Sequence, residues 1–120
     1  MNISTESIEA DMSQLLQQEL TIVCKNKVLK EGRLTLFAIK DFYLNFKLQQ
    51  ADSTRLTIFE LPYPFKYRKT PSGILISYKI DNFVNSDAEL KQLMLYYFYN
   101  KPSKFYDTEI VISKKLLRKT

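Results

Sequence analysis

Histidine and tryptophan are absent from this 120-residue chain, cysteine occurs once and glycine twice. Without an imidazole the usual general base near neutral pH is missing. Ser-His-Asp and Cys-His nucleophile systems are therefore excluded, and so is a Cys-His zinc site. Cys24 has no intramolecular partner, which excludes a disulfide scaffold and favours a reducing compartment. Gly32 and Gly73 stand too far apart to form a phosphate-cradling loop. No apolar run reaches the roughly 18 residues that span a bilayer. The start, MNISTESIEADM, is acidic and lacks an apolar h-region, so it does not read as a signal peptide. The expected compartment is the cytoplasm, or the nucleus in a eukaryotic or viral setting. No cofactor, metal ion, membrane association or enzymatic activity is expected.

Against these absences stand eight tyrosines and eight phenylalanines among 18 lysines and arginines, with a net charge of +5. The first 20 residues hold Glu6, Glu9, Asp11 and Glu19 and no basic residue. The last 20 hold Lys101, Lys104, Lys114, Lys115, Arg118 and Lys119 against Asp107 and Glu109. Such a polarity fits a polyanion partner, contacts between subunits, or simply a solvated surface.

The periodicity predicts a single α+β domain over residues 1–120. Ile8, Met12, Leu15 and Leu16 lie at helical spacing, so residues 5–18 read as an amphipathic helix with acids in its first turn. The period then becomes two. Leu34, Leu36 and Ala38 alternate with Arg33, Thr35 and Phe37, and Phe42, Leu44, Phe46 and Leu48 alternate with Tyr43, Asn45, Lys47 and Gln49. Leu20–Lys25, Arg55–Leu61 and Ile74–Ile80 continue the pattern. Turns are expected at Asn26-Lys27, Ala51-Asp52-Ser53 and Pro71-Ser72-Gly73. This predicts an antiparallel meander or small barrel of five strands. A second helix follows over 86–99, where Ser86 and Glu89 form a capping box and Leu90, Leu93, Met94, Tyr97 and Phe98 an inner stripe. Leu95, Tyr96 and Tyr99 widen its apolar surface, which calls for burial on two sides or against another chain. A last strand is expected at Glu109–Ser113.

Only carboxylate or lysine chemistry is open to such a chain. Asp81 and Glu89-Leu90-Lys91 match the D…ExK spacing of metal-dependent nucleases, but Glu89 serves as a helix cap and Lys91 points away from it. On strand spacing Asp107 and Glu109 would share one face, but nothing further supports a metal there. The densest aromatic–cation patch is PYPFKYRK at 62–69. Its prolines exclude it from the interior of a sheet. Tyr63, Phe65 and Tyr67 can stack on bases while Lys66, Arg68 and Lys69 neutralise phosphates. The same alternation also suits aromatics that plug the end of a β structure while the cations face water.

The stretch LTIVCKNKVLKEGRLTLF, with Asn26 at the turn and Gly32, Leu34 and Phe37 in order, together with DFYLN at 41–45, resembles the Sm-like family, including its bacterial Hfq branch. The resemblance covers about residues 8–61. It implies a short helix followed by a strongly bent five-stranded barrel, assembly into rings and RNA binding. On that resemblance Asp41 would support the loop, Leu44 would pack on a base and Asn45 would hydrogen-bond it. The chain departs from the family pattern at Lys27, which replaces a turn glycine, and at TIFELPYPFKYRK, where the second motif has no counterpart.

Two functions are compatible with these residues. One is a non-enzymatic module for RNA or single-stranded DNA, using Tyr63, Lys66, Tyr67, Arg68 and Lys69, joined by Lys114, Lys115, Arg118 and Lys119. The other is a homo-oligomer or assembly subunit, such as a phage, viral or mobile-element accessory protein. It would use Leu95, Tyr96 and Tyr99.

Overall fold

Helix α1 (Thr5–Ser13) opens the chain because Ile8 and Met12 recur one turn apart and both are fully buried. It is shorter than the spacing predicts. The Ser13 hydroxyl donates to the Glu9 carbonyl, and Gln17 adopts a φ of 68° that reverses the chain. Leu15 still reaches the core through the intervening turns. The computed structural model of the chain describes residues 5–40, 43–50, 53–83, 88–97 and 104–115.

Strands β1 (Glu19–Cys24) and β2 (Lys27–Lys40) form a hairpin closed by Lys25 and Asn26, both at positive φ (51° and 65°). That is the twist-compatible geometry of a two-residue hairpin turn. The long β2 pairs with β1 through its first half and with β3 (Tyr43–Gln49) through its second, Arg33 belonging to both ladders. Gly32 sits at this junction with a φ of 157°, and a Cβ there would lie 2.9 Å from the Gln49 carbonyl oxygen.

A register shift separates Leu34 from Leu36 in the β2–β3 ladder, and the Thr35 hydroxyl donates to the Lys47 carbonyl across it. The extra residue of a bulge inverts the facing of everything beyond it. Leu34 is therefore buried, Leu36 is 49% exposed, and Phe37 and Ile39 pack against the core. Strict alternation had placed Leu34, Leu36 and Ala38 on one face, so the bulge corrects that expectation. In β3, by contrast, Leu44, Phe46 and Leu48 point inward as the alternation predicts.

Strand β4 (Leu56–Pro62) completes a meander, followed by β5 (Lys66–Thr70), β6 (Gly73–Ser77), a 3-10 turn over Ile80–Phe83, α2 (Ala88–Leu95) and β7 (Glu109–Lys114). Among the described residues seven strands form one antiparallel sheet in the order β4-β3-β2-β1-β7-β6-β5. The α+β class stands, but the five-stranded meander or barrel does not. Lys66–Thr70 adds a strand, β7 inserts between β1 and β6, and the sheet is not closed. The sheet is nonetheless strongly curled. A flat one would hold its edges about 29 Å apart at the usual strand spacing. The chain from Pro62 on edge strand β4 to Lys66 on edge strand β5 reaches at most about 14 Å. Proline thus flanks an edge strand, as its lack of an N–H requires.

The curl encloses a run of rings. Phe46 meets Phe59 at 6.0 Å between centroids, Phe59 meets Phe105 at 6.3 Å, and Phe105 stacks on Tyr78 at 5.8 Å. Tyr78 continues to Phe65 at 6.1 Å and Phe65 to Tyr63 at 5.4 Å, both edge-to-face. Leu90 and Met94 are the buried face of α2, and Tyr97 just beyond its end is buried too, whereas Leu93 of the predicted stripe is only half-buried. Its expected ends, Ser86 and residues 98–99, lie outside the described residues.

Candidate nucleic-acid interface

Strand register sorts the PYPFKYRK segment into two populations. Tyr63 is 5% exposed and Phe65 1%. Both belong to the ring series of the core, so Tyr63 presents no face for stacking, and its predicted role is corrected. Tyr67 lies opposite buried Ile76 and packs half-buried against the core. Lys66 lies opposite Ser77 and Arg68 opposite Leu75, on the other face of β5. The row continues across β6 to β7, where Ser77 pairs with Glu109 and Leu75 with Val111.

These rows create a shallow pocket of about 270 Å³ lined by Lys66, Tyr67, Arg68, Leu75, Ser77, Asn82 and Glu109. Asn82 Nδ2 donates to Ser77 Oγ at its rim. Glu109 is held by Lys79 at 3.3 Å. Lys69, on the inward-facing set of β5, instead reaches Asp11 of α1 at 3.9 Å. The Lys114 N–H donates to the Ser72 carbonyl at 2.8 Å, so the start of the basic tail lies beside the β5–β6 turn. Lys115 pairs with Glu31 at 3.7 Å. Arg118 and Lys119 lie outside the described residues.

A second groove of about 360 Å³ runs over the outer face of β2, β3 and β4, lined by Leu36, Ala38, Lys40, Tyr43, Asn45, Lys47, Ile58 and Glu60. Sequence reasoning missed it as a site. The outward set Tyr43, Asn45 and Lys47 was legible, but their neighbours on β2 and β4 follow only from the register. Asn45 Nδ2 donates to the Tyr43 carbonyl at 3.2 Å. Of the residues carried over by the Sm-like resemblance, Asn45 faces this groove. Leu44 is fully buried and cannot meet a base, and Asp41 lies outside the described residues.

The expected helix surface falls partly on described residues. Tyr96 is 47% exposed and set edge-to-face against Tyr97, and Leu95 is half-buried. Tyr99 lies outside the described residues. Burial raises the Tyr97 pKa, and the nearby Tyr43 and Tyr96 hydroxyls add to it. On the sheet Val28, Leu36, Leu56 at 53% and Ile58 at 60% are exposed as well.

Among the described residues no three His, Cys, Asp or Glu side chains gather as metal ligands, and no helix is long and apolar enough to cross a membrane. Asp81 lies on the 3-10 turn, and Glu89 and Lys91 are exposed on α2. No protein-family model, curated protein or solved structure matches the chain.

Proposed function

We propose that the chain is a non-enzymatic module that binds single-stranded nucleic acid across the outer face of its curled sheet. The observation that carries this reading is the placement of Lys66 and Arg68 two residues apart on one face of edge strand β5. That spacing, about 6.8 Å along a strand, suits successive phosphates of an extended single strand. The aromatic contribution falls to Tyr43, half-exposed beside Lys40, Asn45 and Lys47. Tyr43 lies opposite Pro62, the residue from which the chain crosses to Lys66. The Sm-like resemblance supports the same reading through Asn45 alone.

Binding of a labelled single strand tests it. Lys66→Glu with Arg68→Glu should weaken binding at least about tenfold at roughly 50 mM salt, and flatten the slope of log affinity against log salt by about 1.4. Tyr43→Ala should weaken it at every salt concentration, a stacked ring adding about 1–3 kcal/mol. Absence of binding by the wild-type chain at that salt overturns the proposal.

A second reading, assembly with a second copy, is favoured by Leu56 and Ile58 exposed on edge strand β4. An oligomer on a size-exclusion column that Leu56→Ser, outside the groove, converts to monomer with nucleic-acid binding unchanged would establish it.

A further inference from the structure

The pocket beside Lys66 and Arg68 contains a group that a bare phosphate site would exclude. Glu109 ends the row Lys66–Ser77–Glu109, two strands and about 10 Å from the cations. Its carboxylate repels a phosphate, so it stabilises only a ligand that brings hydrogen-bond donors to it. Lys79 fixes that carboxylate at 3.3 Å through one oxygen, and a carboxylate has lone pairs for further donors. Between the two ends lie Leu75, an apolar floor, and Asn82 bonded to Ser77.

We infer that this pocket holds one nucleotide laid across the strands and selects guanine, with its phosphate on Lys66 and Arg68 and its Watson–Crick edge on Glu109. The inference rests on the nucleic-acid reading and adds base selectivity to it. Guanine alone among the bases has two adjacent N–H donors on that edge, the imino N1–H and the amino N2–H. They match the two oxygens of a carboxylate as a parallel pair. Adenine and cytosine each set an acceptor beside a single donor group, and uracil flanks its single N–H with two acceptors, so each turns a lone pair toward Glu109.

The test uses the full chain and short oligothymidylates carrying one central purine: guanine, inosine, which lacks the amino group, or adenine. The wild type should bind the guanine strand about tenfold more tightly than either of the others, the low end of bidentate discrimination. Free guanosine monophosphate should compete better than adenosine monophosphate. Glu109→Gln presents one acceptor and one donor and should transfer the preference to adenine, with an unchanged thermal unfolding curve showing that the fold is retained. Equal affinity of the wild type for the three strands overturns the selectivity and leaves general binding intact, and so does an unchanged ranking in Glu109→Gln. No binding of any strand at about 50 mM salt overturns the nucleic-acid reading and this inference together.

Discussion

Tyr78 links the ring series of the core to the edge of the sheet. It is fully buried between Phe65 and Phe105, and its hydroxyl donates to the Pro62 carbonyl at 2.7 Å. That bond ties the end of β6 to the end of β4 across the curl. Tyr78→Phe should lower unfolding free energy in urea by about 0.5–1.5 kcal/mol, since it removes a part-buried hydrogen bond that joins two ends of the sheet. Burial also raises the Tyr78 pKa well above its ordinary 10.0, and the pKa of Tyr63 is raised for the same reason. The native chain therefore holds protons that the unfolded chain releases above about pH 10. The stability Tyr78 contributes is complete below that pH and falls by about 1.4 kcal/mol per pH unit above it, until the folded hydroxyl ionises. Urea midpoints measured from neutral to alkaline pH should show this decline, with a shallower limb in Tyr78→Phe. Gly73 marks the other sensitive position, because a Cβ there would stand 1.9 Å from the Ile112 carbonyl oxygen. Gly73→Ala should cost about 1–3 kcal/mol by overpacking, read as a lower thermal midpoint.

At the scale of elements, the turn and the bulge of β2 decide which residues meet. The hairpin turn holds Lys25 and Asn26 at positive φ, a conformation that Lys25, carrying a Cβ, adopts at a cost and that asparagine tolerates better. Lys25→Asn with Asn26→Gly should raise stability by about 0.5–1 kcal/mol and leave binding unchanged, measured by urea unfolding. The bulge at Thr35 has the opposite sensitivity. Deleting Thr35 would remove the extra residue while keeping Leu36 opposite Lys47 and Phe37 opposite Phe46, so the facing of β2 persists and only the local bend is lost. A lower urea midpoint with a transition that stays cooperative, and no increase in dye binding to exposed apolar surface, is the expected outcome. The alternation of β3 was legible because Leu44, Phe46 and Leu48 obey it without interruption. The inversion in β2 was not, since a bulge leaves no mark in composition when a threonine supplies the extra residue.

For the whole molecule, the electrostatics of stability and of binding are separable. The ion pairs Lys69–Asp11, Lys79–Glu109 and Lys115–Glu31 are all at the surface, where each contributes about 0–1 kcal/mol. Raising salt from about 50 to 200 mM should leave the thermal midpoint within a few degrees while single-strand affinity falls steeply. A parallel loss of both would show that the cations hold the fold. Much of this molecule was determined locally. The helix stripes, the inward set of β3, the edge position of a proline-flanked strand and the exclusion of imidazole chemistry all follow from residues near one another in the chain. Only the tertiary structure decided that β7 enters between β1 and β6, and that Tyr63 and Phe65 belong to the core while Lys66, Arg68 and Glu109 share a pocket. The reason is physical: a period of two states that a strand has two faces, but not which strand lies beside it. An aromatic ring suits a core and a stacking surface equally until distant segments bury it.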